Sequence, residues 1–94
     1  MLFQVTISEV RAAANKLQQA LADFEQATNN TKAAADNLCA GWEGDARNTF
    51  AAEQEKTVAW FRQMAEVVDT YINALETAAK IYEQFDVDGV NIIK

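Results

Sequence analysis

The sequence predicts an all-α fold, an antiparallel helical hairpin that dimerises into a four-helix bundle. Three observations carry this expectation. Proline is absent from all 94 residues. Apolar residues recur at steps of three and four along two long stretches. That repeat stops and restarts only at Gly41-Trp42-Glu43-Gly44, near the middle of the chain. Two glycines within four residues supply the backbone freedom a helix end needs, since glycine adopts positive φ without a Cβ penalty and favours the position just past a helix C-terminus. Trp42 is expected to pack across the hairpin end, with Gly44 leaving room for its indole.

The first helix is expected over about 7–40. Thr6-Ile7-Ser8-Glu9 fits a capping box, in which the Thr6 hydroxyl accepts from the Glu9 amide and the Glu9 carboxylate reaches back to the cap. From there Ile7, Val10, Ala14, Leu17, Leu21, Phe24, Thr28, Thr31, Ala35 and Leu38 keep one stripe on one face, as in a coiled coil. Thr28-Asn29-Asn30-Thr31 are weak helix formers and predict a softer turn without a break. Cys39 reads as a small apolar residue at the helix end.

After the turn at 41–44, the second helix is expected over about 45–85, opened by the Asp45 carboxylate, which suits a helix N-terminus. Its apolar face is wider. Phe50, Thr57, Met64, Tyr71, Ala78 and Phe85 share one heptad row; Trp60, Val67, Ala74 and Ile81 share a second; Phe61, Val68, Leu75 and Tyr82 share a third. Three rows exceed what one neighbouring helix covers. Glu76 and Lys80 are spaced as an i,i+4 ion pair. Asp86-Val87-Asp88-Gly89 ends the helix, leaving 86–94 as a loose tail of a single domain spanning 1–94.

At about 1.5 Å per residue, such helices make rods roughly 50 and 60 Å long, and two rods enclose no core. Ala13, Ala20, Ala27 and Ala34 recur every seven residues beside the first stripe. This small-residue strip and the row Trp60, Val67, Ala74 and Ile81 are the expected dimer interface. The same alanines also raise helix propensity, a role that needs no partner.

Composition excludes several functions. Without histidine there is no Ser-His-Asp triad, and one cysteine makes neither an intrachain disulfide nor a multi-cysteine zinc site. Asp86, Asp88 and Gly89 lack the further ligands of a calcium loop, so neither metal nor cofactor is expected. A net charge of -6 opposes binding to nucleic acid or anionic lipid. No stretch has the ~18 apolar residues of a membrane span, and Met1-Leu2-Phe3-Gln4-Val5-Thr6 lacks the basic flank and continuous apolar run of a cleavable signal peptide. An enzyme is the least expected class, because a rod offers no cleft.

Trp42-Glu43-Gly44, followed by Ala46 and Phe50 in the turn of a hairpin of about one hundred residues, resembles the WXG family of small proteins, relatives of the early secreted antigenic target of mycobacteria. The likeness covers nearly the whole chain. It implies a leaderless, virulence-associated substrate of the type VII secretion system, cytoplasmic before export and secreted as a folded homodimer or heterodimer of antiparallel hairpins, with the secretion ATPase as a further partner. The family's second mark, a tyrosine and an acid four residues apart near the end of the second helix, is matched by Tyr82 and Asp86, implied to be an export signal. In an antiparallel dimer, Trp42 of one chain would lie near Tyr82 and Asp86 of the other. A second role the residues allow is a targeting partner that pairs with the helical N-terminal region of a larger secreted toxin. A membrane-active hairpin is disfavoured by the acidic balance.

Overall fold

In the computed structural model the elements are β1 (Val5–Thr6), α1 (Ile7–Ala40), α2 (Asp45–Gln84) and β2 (Ile92–Ile93). The structure describes residues 5–84 and 92–93. Contacts of Arg11 with Glu83, Phe24 with Phe61 and Cys39 with Arg47 descend α2 as they climb α1, so the helices run antiparallel. The hairpin measures 68 × 25 × 15 Å.

Helix α1 starts where the capping residue is. Thr6 is extended at φ -84 and ψ 156, and its Oγ1 accepts from the Glu9 amide at 3.0 Å, satisfying one of the first unpaired N–H groups. The expected soft segment is continuous helix. Thr28 and Thr31 direct their hydroxyls back to the carbonyls of Phe24 and Ala27 at 2.9 and 2.8 Å, which satisfies them within the helix. Thr28 is thereby tolerated as a buried polar residue in the seam.

The seam between the helices uses only part of the predicted stripe. Ile7, Ala14, Thr28 and Ala35 of it are buried, as is Cys39 outside it, while Phe24 and Leu38 of the stripe stay open, Leu38 at 54% exposure. On α2 the buried residues are Val58, Ile72 and Ala79, with Ala51 and Ala65 half-buried between them. These five share one heptad row that lies beside the three rows singled out from the sequence and belongs to none of them. The physical reason is size. Small side chains let the two backbones approach, and Ala14 and Ala79 are almost fully enclosed, at 1% and 0% exposure. A row of alanines looks weak by hydrophobicity alone; of the bulkier rows, Phe61, Val68 and Leu75 are half-buried at the edge of the seam, while those of Trp60 and of Met64 and Tyr71 are turned out of it.

The rows turned out share one side of the hairpin. Successive residues rotate by about 100°, so in α1 the rows of Phe24 and of the alanine strip lie to one side of the seam, and in α2 the rows of Phe61, Met64 and Trp60 do likewise. Because the helices are antiparallel, these rotations bring both sets to the same broad face. The edge-on contact of Phe24 with Phe61, 5.7 Å between centroids at 77°, joins the two halves of that face. The opposite side is polar, with a groove lined by Glu25, Asn29, Arg62, Glu66, Asp69 and Thr70.

Both ends of the hairpin depart from expectation. A loose tail is expected over 86–94, yet Ile92 and Ile93 pair antiparallel with Thr6 and Val5. Two successive β-branched residues favour an extended pairing. Phe85 and the expected stop at Asp86-Val87-Asp88-Gly89 lie outside the described residues. At the turn, only one glycine uses its special freedom. Gly44 has φ +110, whereas Gly41, the C-cap of α1, sits at φ -103 and ψ 12. A Cβ at Gly44 would meet nothing within 4 Å, so this glycine is required by its backbone angle and does not make room for Trp42.

Two contrasts follow. Gly44→Ala lowers unfolding free energy by about 1 kcal/mol or more, while Gly41→Ala is neutral or stabilises by up to about 1 kcal/mol. Ile72→Ala costs about 2–5 kcal/mol through the cavity it leaves, while Thr70→Ala, on the exposed side, stays within about 0.5 kcal/mol. Urea denaturation of the four variants at one protein concentration checks both.

Candidate functional site

The turn is held by a short set of polar and aromatic contacts. Its backbone closes α1 with Gly41 N–H donating to the Leu38 carbonyl at 3.2 Å and Trp42 N–H donating to that of Cys39 at 3.3 Å. The Cys39 carbonyl also accepts from Arg47 Nε at 3.4 Å. Arg47 lies in the first turn of α2, where its charge opposes that helix's own dipole. Its favourable partner is the negative C-terminal end of α1. Arg47 is not among the residues expected from the sequence to act at the turn, although a cation at an N-terminal helix position is an available signal. Gly44 completes the hinge by accepting the first α2 hydrogen bond, from Asn48 N–H at 3.2 Å.

Trp42 is half-buried and leans on Phe50, with ring centroids 5.9 Å apart at 39°. Phe50 is one of the turn residues quoted for the family resemblance, and its contact with the indole ties the loop to the first turns of α2. The remaining face of the indole is at the surface.

Tyr82 lies at the other end of the rod and is 41% exposed. Its proposed companion Asp86 lies outside the described residues. From Asp45 to Tyr82 the helix climbs roughly 55 Å, so one hairpin does not bring Trp42 and Tyr82 together. The helix end bearing Tyr82 is anchored to α1 by the Arg11–Glu83 ion pair and by Gln18 Nε2 donating to Glu76 Oε1 at 2.9 Å. Glu76 thus turns across the seam to Gln18, and the expected pair with Lys80 is not formed, because the half-buried carboxylate finds a donor on the facing helix.

The residues expected at a dimer interface are on the broad apolar face. Ala13, Ala20, Ala27, Ala34 and Ala74 are exposed, as are Trp60 at 56%, Val67 at 63% and Ile81 at 49%. Met64 and Tyr71 lie between them at 40% and 59%. Arg47 and Glu53, both near the turn, are the charges in the outward rows of α2, and the outward rows of α1 carry none. Charge depletion around exposed aromatic and Met side chains is the composition of an interface core.

Among the described residues no group of His, Cys, Asp or Glu is arranged to hold a metal ion. No described helix is long and apolar enough to cross a membrane. No curated protein and no solved structure gives a significant match to the chain. Residues 2–87 match the family described as proteins of 100 residues with WXG. That match spans both helices and the Trp42-Glu43-Gly44 turn, and with a hairpin of two long helices joined there, the chain belongs to the WXG100 family.

Proposed function

We propose that the protein is a non-enzymatic substrate of a type VII secretion system, exported as a folded pair of helical hairpins. The observation that carries this is the uncovered apolar face of a WXG100 hairpin. Side chains as large as Trp60 and Tyr71, more than half exposed, are costly to leave in water at ~25 cal/mol per Å² of apolar surface. A second hairpin laid on that face buries them and produces the four-helix bundle that two rods cannot make alone.

Family membership supports the route of export, and the layout of the motifs supports how it is read. Trp42 is fixed to the scaffold by Phe50 at one end, and Tyr82 is presented on a helix anchored by Glu76 and Glu83 at the other. In a pair of hairpins laid head to tail, each Trp42 arrives beside the other chain's Tyr82 and Asp86. The composite of indole, phenol and carboxylate then exists only in the assembled pair, so the secretion ATPase would select folded dimers over single chains. The paired chain is a second copy or a related hairpin.

Tyr82→Ala removes a 41%-exposed side chain from outside the buried seam, so the purified variant keeps its helix content and its oligomer mass. In the native host it is retained in the cells, read by immunoblot of culture supernatant against cell pellet. Export equal to that of the unmodified chain would sink the assignment of Tyr82 to the signal.

A further inference from the structure

We infer that the polar side of the hairpin docks a helix of another protein, one that carries a cationic and an anionic side chain about 10 Å apart, received by Glu25 with Asp69 and by Arg62 respectively. This side lies opposite the apolar face, so the inference does not depend on how hairpins pair. It starts from a ladder of facing charges. The row Arg11, Gln18, Glu25 and Lys32 of α1 runs along this edge of the seam against the row Glu83, Glu76, Asp69 and Arg62 of α2. At the open end of the rod the rungs are matched, since Arg11 pairs with Glu83 and Gln18 donates to Glu76. Continued in the same register, the next two rungs set Glu25 against Asp69 and Lys32 against Arg62. Acid faces acid, and cation faces cation.

The seam opens into a groove at each mismatched rung. Glu25 and Asp69 line the first, of about 740 Å³, above Thr28 and Ala65. Lys32 and Arg62 line the second, of about 490 Å³, above Ala35 and Val58. Among the described residues the side chains of Glu25, Asp69 and Arg62 form no ion pair, whereas Lys32 is taken up along its own helix by Asp36 at 2.8 Å. Gln54 adds an observation independent of the charges. Its Nε2 is buried in the wall of the second groove and has no acceptor among the described residues. A buried amide donor costs stability until an acceptor reaches it, and a carboxylate entering beside Arg62 supplies one.

Facing like charges weaken the isolated chain, so two such rungs in succession serve binding at the expense of stability. A helix suits the spacing. The two rungs are seven residues apart on both α1 and α2, and a third helix laid along the seam presents side chains seven apart on one face at the same pitch. Apolar residues between its two charges would rest on the small side chains under the grooves. Phosphate-rich partners are opposed by Glu25, Glu66 and Asp69 in the first groove, and uniformly basic ones by Arg62 in the second.

The probe is a fluorescein-labelled, alanine-based helix with Lys and Glu seven residues apart and two leucines between them on the same face. It is titrated with the full chain at low salt and followed by anisotropy. Saturable binding is expected, weakened about tenfold or more by Asp69→Lys and by Arg62→Gln, and weaker to a similar degree for control peptides with Lys at both positions or Glu at both. Asp69→Lys also gives Glu25 an opposite charge, so the thermal midpoint of the free chain rises by about 2–5 °C. Failure of the mixed peptide to bind overturns the inference, as does equal binding of the two-lysine control. Affinity unchanged in either variant places the peptide elsewhere on the rod and overturns it too. A lower midpoint for Asp69→Lys removes the mismatched ladder on which the inference stands. A fall in the oligomer mass of the chain alone on the same substitution assigns the grooves to a second copy and overturns the outside partner. None of these results touches the export assignment, which the Tyr82→Ala measurement tests by itself.

Discussion

Close approach of two small-residue rows is the constraint on which the rest of this hairpin depends. Ala14 and Ala35 on α1 face a row of Ala51, Val58, Ala65, Ile72 and Ala79 on α2. Backbones that near to each other leave no volume between them for Trp60, Met64 or Tyr71. Those side chains are displaced to one side, and because the helices are antiparallel, they gather on a single face. The broad apolar surface is thus a direct outcome of how tightly the seam is made.

The distribution of charge follows the same division. Arg62, Glu66 and Asp69 line the polar side, and the rows of the apolar face are nearly free of charge. The acidic balance of the chain is carried mainly away from the apolar face, which is left nearly neutral. The ends of the rod are closed differently. The turn uses the positive φ of Gly44, the Trp42–Phe50 contact and the reach of Arg47 to the Cys39 carbonyl. The open end uses the Arg11–Glu83 pair and the short pairing of Val5–Thr6 with Ile92–Ile93. The proposed two-part signal would require such anchored ends, since a head-to-tail partner could complete it only if both halves hold their positions along a rod of fixed length.

Much of this was legible along the chain. Caps and turns are local, so Thr6 and the glycine-bounded break announced where the helices start and stop. The exposed rows on α2 and the alanine strip on α1 were also legible, because helical periodicity is a property of spacing. The seam itself was not. Periodicity weights a row by apolar bulk, and the facing row of α2 alternates alanine with Val58 and Ile72, so it ranks below three bulkier rows although it packs best. Gly41 and Gly44 look equivalent in sequence, and only the backbone path assigns the positive φ to one of them. Arg47 escaped notice because its partner belongs to another helix, and Glu76 chose Gln18 over Lys80 for the same reason.

By itself the sequence determined two proline-free amphipathic helices, a glycine-bounded turn bearing Trp42, and more apolar rows than one helix covers, because each of these is set by residues within a few positions of one another. Tertiary structure decided which row becomes the seam, which face is left over, and that Trp42 and Tyr82 sit at opposite ends of one rod. Those outcomes depend on how closely two backbones approach, a distance set jointly by residues on both helices and invisible in the pattern of either one.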